Sequence, residues 1–110
     1  MGVFLGTKLI EATPAGSARG RTLWHWCPGC KRVHAFEVEK PNTWGAMWNW
    51  NGDIDRPTMT PSMHLPGRCH YFLTDGRLHY LADSTHHLTG QVVDLPDFPI
   101  GEPAEMLAGG

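Results

Sequence analysis

The chain has 110 residues, the length of one domain, and its nine Lys and Arg nearly balance its eleven Asp and Glu, which gives a net charge of −2. This balance argues against a protein that wraps duplex nucleic acid, because such a protein needs a dense basic surface. No apolar run approaches the roughly 18 residues that a membrane span requires, and the first residues lack the basic start and apolar run of a secretory leader. We therefore expect a cytoplasmic protein without membrane association.

Thirteen Gly and nine Pro favour short strands and many turns over long helices. In chain order, residues 1–20 are expected to form a flexible N-terminal arm, because they offer little besides Leu9 and Ile10 to pack. Residues 22–26 alternate in a way that predicts a strand, and so do residues 33–38 after the Cys27–Cys30 turn. Strand, Cys-Pro-Gly-Cys turn and strand together predict a zinc knuckle.

The middle of the chain contains aromatic residues and then prolines. Trp48 and Trp50 alternate as in a strand, and Asn51-Gly52 favours a tight turn. Residues 55–66 contain three prolines, which predict an extended loop with rigid corners.

A β-hairpin follows this loop. Residues 69–74 and 77–81 flank Asp75-Gly76, a pair typical of a two-residue type I′ turn, and that register sets Leu73 opposite Leu78 and Tyr71 opposite Tyr80. Residues 84–89 are predicted to form a short helix, residues 91–95 a strand, and residues 100–110 a C-terminal tail. The fold class is thus a small β-rich (α+β) domain over residues 21–99, with a zinc knuckle and antiparallel hairpins.

The spacing of Cys27 and Cys30 is typical of a metal site, because a two-residue turn aims both sulfur atoms at one point. With three cysteines the chain cannot form a complete disulfide framework, and in a reducing compartment such residues are metal ligands or redox groups. The redox interpretation expects a long helix after the second cysteine, whereas residues 33–38 resemble a strand. We therefore predict zinc.

The third and fourth zinc ligands are predicted from the remaining thiol and the histidines. Cys69 and His70 are neighbours in a strand and point to opposite faces, so one metal ion takes one of them, and a thiolate favours Cys69. His86, just beyond the hairpin, is the predicted fourth ligand. His34 and His70 are the alternatives, as metal ligands or as active-site residues.

Several motifs recur in the same order in a family of small phage and prophage proteins, which the chain resembles from about residue 23 to residue 99. They are Trp26-Cys27-Pro28-Gly29-Cys30, His34, Trp50-Asn51-Gly52, Arg56-Pro57-Thr58, Pro61-Ser62, Cys69-His70, Phe72, Asp75-Gly76-Arg77, Asp83, Thr85-His86, Leu88 and Gly90-Gln91. Members sometimes carry the label "ammonia monooxygenase", which nothing in this chain supports. The family often has Cys at the position of Ser84, and this departure leaves the third and fourth ligands open. The resemblance implies a phage-encoded protein that works inside a bacterial cell.

Two functions follow as hypotheses. The first is a zinc-stabilised accessory module that binds a protein partner, such as a host protein or a host defence system, and for which nucleic acid is disfavoured by the net charge. Its expected binding surface consists of Trp48, Trp50, Asn51, Thr58 and Ser62, because exposed rings supply contact area at low entropic cost. The alternative is a small zinc-dependent hydrolase that uses the surplus histidines together with polar groups such as Asp83 and Ser62. The sequence favours the module over the enzyme and identifies no catalytic residues.

Overall fold

The computed structural model describes residues 2–12, 20–41 and 45–99. Within these ranges the chain forms two antiparallel sheets and no helix. The predicted β-rich class is therefore confirmed. The described residues contain no helix of the length and apolar character needed to cross a membrane. The predicted tail at 100–110 lies outside the described residues, as do residues 1 and 13–19 of the predicted arm.

The first sheet has four strands in sequence order. They are β1 (Val3–Leu5), β2 (Leu9–Glu11), β3 (Thr22–Cys27) and β4 (Arg32–Glu37). Strands β3 and β4 form the hairpin predicted around the Cys27–Cys30 turn, with Trp26 paired to Val33. Strands β1 and β2 lie within the segment predicted as an arm, where Leu9 and Ile10 are fully buried.

The second sheet has five strands, also in sequence order. They are β5 (Asn49–Trp50), β6 (Met59–Leu65), β7 (Cys69–Thr74), β8 (Arg77–Tyr80) and β9 (Val92–Asp94). The β7–β8 hairpin has the predicted register, with Leu73 opposite Leu78 and Tyr71 opposite Tyr80. Asp75 and Gly76 have φ angles of 51° and 74°, the two left-handed residues that a type I′ turn requires.

The prediction of an extended loop over residues 55–66 was wrong in its second half, because residues 59–65 form β6. The pairing of β6 with β7 is irregular between Met59 and Met63, where β6 advances four residues while β7 advances two. Pro61 lies inside this irregularity. A proline has no N–H to donate to the ladder, so it fits a strand where regular pairing is interrupted.

The predicted short helix at 84–89 was also wrong, since residues 84–86 are irregular and residues 87–89 belong to a turn. The Ser84 hydroxyl donates to the backbone oxygen of His70, and the Thr85 hydroxyl donates to the backbone oxygen of Arg68. Serine and threonine readily satisfy backbone groups in this way, which competes with helix formation. The segment is therefore held against the start of β7.

One apolar core joins the two sheets. Strands of the first sheet contribute Leu23 and Phe36, and strands of the second contribute Met59, Tyr71 and Leu78, all at most 1% exposed. Because side chains alternate along β7, Cys69, Tyr71 and Leu73 face this core while His70 and Phe72 face outward. Strand β7 thus presents different chemistry on its two faces.

Candidate metal centre and active site

The Cys27–Cys30 turn connects β3 to β4 and directs both sulfur atoms to one side. The Lys31 N–H donates to the backbone oxygen of Cys27 at 2.8 Å, and the Cys30 N–H donates to Cys27 Sγ at 3.4 Å. Lys31 has a φ of 56°, the left-handed residue that closes the turn. An amide that donates to a sulfur atom favours its thiolate form, the form that binds metals.

The structure brings all four predicted metal ligands together. One ligand atom from each of Cys27, Cys30, Cys69 and His86 lies within 4.8 Å of every other. Cys69 Sγ lies 3.3 Å from His86 Nε2. Three thiols and one imidazole form one of the common donor sets of structural zinc.

The three thiols influence one another strongly. Hydrogen bonding from Cys69, followed by that from Tyr80, lowers the pKa of Cys27 to about 5 despite its burial. The pKa values of the other two thiols are raised, that of Cys69 chiefly by its hydrogen bond to Cys27 and that of Cys30 chiefly by burial. The protein alone thus favours one negative charge in a cluster that has three thiols. A divalent cation would stabilise further thiolates, so the donor set fits a metal ion.

Two neighbouring residues shape the cluster. The Tyr80 hydroxyl lies 3.1 Å from Cys27 Sγ, and the Tyr80 ring packs edge-on against the His86 ring. Gly29 lies directly beneath the same imidazole, so that a Cβ atom at position 29 would collide with it. Such contacts around the ligands fix their orientation.

On the outward face of the second sheet, three side chains form a hydrogen-bonded chain. Ser62 Oγ lies 3.0 Å from His70 Nε2, and His70 Nδ1 lies 3.0 and 3.1 Å from the two carboxylate oxygens of Asp83. The hydrogen bond from His70 lowers the pKa of Asp83, so this carboxyl group is ionised at neutral pH. The ionised carboxylate accepts the Nδ1 proton, which leaves Nε2 free to accept the Ser62 proton. This is the Ser-His-Asp arrangement used in nucleophilic catalysis.

Local structure explains how the three residues meet. Ser62 lies two residues before His64, the partner of His70 in the β6–β7 ladder, and the Trp48 indole N–H donates to the backbone oxygen of Ser62 at 3.2 Å. Ser84, 6% exposed, accepts the His70 N–H at 3.0 Å and donates to the His70 backbone oxygen at 2.9 Å. Ser84, the residue that follows Asp83 in the chain, is therefore joined to the backbone of His70.

The two sites are held by the same two segments of the chain, β7 and the turn after β8. Cys69 and His70 are neighbours in β7, one facing the thiol cluster and the other facing Ser62. The turn after β8 carries Asp83 to the outward site and His86 to the thiol cluster. Any ion that holds Cys69 and His86 in place therefore also constrains the backbone that positions His70 and Asp83.

The alternative ligands lie elsewhere. His34 is buried and its Nδ1 lies 3.0 Å from the Tyr71 hydroxyl, outside the thiol cluster. Burial lowers the pKa of His34 to about 3, so its ring is neutral. His70 belongs to the Ser62 site, and it also lies in a group with His64 and Asp83 whose ligand atoms are close together.

The predicted binding surface has few free polar groups. Trp48 is 8% exposed and belongs to the core. The Trp50 indole donates to the Asp53 backbone oxygen, and Asn51 accepts from the N–H groups of Asp53 and Thr58. The Thr58 hydroxyl accepts from the Asp75 N–H. Of the five residues, Ser62 is the one whose side chain joins the hydrogen-bonded chain with His70 and Asp83.

From the sequence, His70, Asp83 and Ser62 were expected together only as polar groups of a zinc-dependent hydrolase, and their alignment in one hydrogen-bonded chain was missed. Ser62 follows a proline in β6 and carries none of the glycine spacing of a nucleophile elbow. The order Ser, His, Asp over 22 residues was visible, but the β6–β7 pairing that joins the first two was not.

Comparisons with known proteins match the chain to a protein family. A family model described as "BubE: Bacterial ubiquitination-like system serine protease (BubE)" matches residues 7–81, about two-thirds of the chain. No curated protein and no solved structure matches this chain. The matched region contains Cys27, Cys30 and Cys69 of the thiol cluster, and it also contains Ser62 and His70. It ends two residues before Asp83.

Proposed function

Because the chain belongs to the BubE family of bacterial ubiquitination-like system serine proteases, we propose that it is a serine hydrolase with Ser62 as its nucleophile. The observation that carries this proposal is the pair of hydrogen bonds that joins Ser62 through His70 to Asp83. Its substrate would be a protein of that system, in which it would cleave a peptide or an ester bond.

The geometry supports the usual sequence of acyl transfer. His70 Nε2 accepts the Ser62 proton as Oγ attacks the substrate carbonyl carbon, and Asp83 stabilises the imidazolium that forms. The tetrahedral intermediate collapses to an acyl-serine while His70 protonates the leaving amine or alcohol. Water then attacks the acyl-serine with His70 as base, which releases the acid and restores the Ser62 hydroxyl.

We further propose that Cys27, Cys30, Cys69 and His86 hold a structural zinc ion. Four protein donors complete a tetrahedral set and leave no position for a catalytic water, so this cluster does not favour the zinc-dependent hydrolase predicted as the alternative. The Leu88 N–H donates to His86 Nδ1 at 3.2 Å. Zinc bound through Nε2 would leave the ring proton on Nδ1, so this contact should lengthen in the zinc-loaded protein.

The zinc would serve the hydrolase indirectly. It would fix Cys69 and His86, whose chain neighbours carry His70 and Asp83, in a domain whose modest size benefits from a cross-link.

The predicted protein partner and cytoplasmic location are retained as proposals. The family description places relatives in a ubiquitination-like system, which acts on proteins, and this supports a protein substrate over nucleic acid. A phage origin and a role against a host defence system stay predictions from the resemblance alone.

The test is hydrolysis of an activated ester such as para-nitrophenyl acetate by the zinc-loaded protein and its Ser62→Ala variant. Loss of the nucleophile should lower kcat/KM by about 10³-fold or more. Thr74→Ala, which removes an exposed hydroxyl at the other end of β7, is the matched control and should keep the rate. Metal content and thermal unfolding should be unchanged in both variants. A Ser62→Ala protein that hydrolyses the ester at the parent rate would overturn the proposal.

A further inference from the structure

A second group of metal-binding side chains overlaps the Ser62 site. His64 of β6 pairs with His70 of β7, and their rings stack with centroids 4.2 Å apart and an interplanar angle of 28°. Asp83 lies beside both rings, with Oδ2 3.0 Å from His70 Nδ1 and 3.6 Å from His64 Nε2. One ligand atom from each of the three lies within 4.8 Å of the others.

These separations suit a tetrahedral zinc ion. Bond lengths of about 2.0–2.2 Å to nitrogen and oxygen place neighbouring donors roughly 3.3 Å apart. The two distances to Asp83 lie on either side of that value, so small side-chain rotations would complete the three-donor set. Two imidazoles and a carboxylate are donors that zinc accepts readily, and a fourth position would stay open to water.

The site is also accessible and has a suitable charge. The side chains of His64 and Asp83 are 50% and 55% exposed, so an ion can enter from solution without opening the fold. The ionised Asp83 carboxylate supplies negative charge. The thiol cluster, in contrast, lies on the core side of β7.

We propose that zinc binds reversibly to His64, His70 and Asp83 and thereby inhibits the hydrolase. Zinc on His70 Nδ1 would occupy the lone pair on that nitrogen and leave the ring proton on Nε2. A protonated Nε2 cannot accept the Ser62 proton, and Asp83 would bind the ion instead of the ring. The inhibition rests on the proposed function, whereas the binding does not.

The experiment starts from protein that carries one zinc ion per chain. Free zinc is raised stepwise in a chelator buffer, and two quantities are followed: bound zinc per chain by equilibrium dialysis, and ester hydrolysis relative to each protein's own rate at the lowest free zinc. His64→Ala removes one donor, and His79→Ala is the matched control, an outward histidine of β8 outside the group.

The parent and His79→Ala should bind a second zinc ion and lose hydrolysis over the same range of free zinc. His64→Ala should need at least about tenfold more free zinc, both to bind the second ion and to lose hydrolysis. Three results would overturn the inference: one zinc per chain throughout, inhibition unchanged by His64→Ala, or faster hydrolysis when the second ion binds. If no protein hydrolyses the ester, the proposed function fails, and the dialysis alone then supports or overturns the second site.

Discussion

We predict that the Ser84 hydroxyl holds His70 and Asp83, the proposed catalytic histidine and aspartate, in register. In Ser84→Ala the part-buried His70 N–H loses its acceptor, while the His70 backbone oxygen keeps a second hydrogen bond from the Leu81 N–H at 2.8 Å. One unsatisfied buried donor costs about 1–3 kcal/mol, and the lost hydrogen bond to the oxygen costs about 1 kcal/mol. We therefore expect the free energy of unfolding to fall by about 2–4 kcal/mol.

This loss should be visible in two assays. For a domain of this size, 1 kcal/mol corresponds to a change in Tm of about 4–8 °C, so Ser84→Ala should melt roughly 10 °C or more below the parent. Asp83 lies in the turn that Ser84 ties to β7, so it is expected to move when that turn is released. The kcat for ester hydrolysis should therefore fall up to about 100-fold at a temperature where the variant is still folded.

Two variants control this experiment. Thr85→Val removes the neighbouring exposed hydroxyl, which donates to the Arg68 backbone oxygen at 3.1 Å, and should change stability by no more than about 0.5 kcal/mol. Ser84→Cys, with its weaker donor and acceptor, should lie between parent and alanine. A Ser84→Ala protein with parental Tm and kcat would refute the reasoning.

Three further predictions concern the metal centre and the core. Cys27→Ser should lose zinc and unfold together, whereas His70→Ala should stay folded and keep its zinc; metal analysis and circular dichroism would show both. Gly29→Ala should push the His86 ring from its position and weaken zinc affinity about tenfold or more in a competition assay with a chelator. His34 has a pKa lowered by burial to about 3, so the unfolded chain binds its proton first as pH falls below about 6.5. The folded state should therefore lose up to about 1.4 kcal/mol per pH unit from this residue, and His34→Phe should unfold with a shallower pH dependence.

Each of these predictions has a contradicting result. Zinc retained by folded Cys27→Ser would remove that residue from the ligand set. A Gly29→Ala protein with parental zinc affinity would mean that the His86 ring does not need its present position. An unchanged pH dependence in His34→Phe would mean that the buried ring is not what the unfolded state protonates.

Elements defined by local chemistry could be predicted from the sequence. The Cys27–Cys30 knuckle depends on residues three positions apart in the chain, and the Asp75-Gly76 turn fixes its hairpin register through two backbone conformations. The opposite orientation of Cys69 and His70 follows from strand geometry alone, so one metal ion takes one of them, and the preference of zinc for a thiolate favours Cys69.

The features that were missed depend on pairings between distant residues. The segment at 84–89 has the capping residues of a helix, but Ser84 and Thr85 instead satisfy backbone groups of residues 68–70. Ser62 meets His70 through the pairing of β6 with β7, and no local pattern in the sequence indicates that these two strands are neighbours in this register. The Ser62–His70–Asp83 arrangement therefore depends on sheet register, whereas the cluster of Cys27, Cys30, Cys69 and His86 could be predicted from spacing and side-chain direction.

The central claim, that Ser62 is an activated nucleophile, is tested most directly by covalent trapping. Zinc-loaded protein would be treated with a serine-directed phosphonofluoridate, and the modified residue would be located by mass spectrometry of peptides. We predict one adduct per chain, on Ser62, that is absent in Ser62→Ala and forms far more slowly in His70→Ala. A folded, zinc-loaded protein that forms no adduct, or that is labelled at another residue, would contradict the claim.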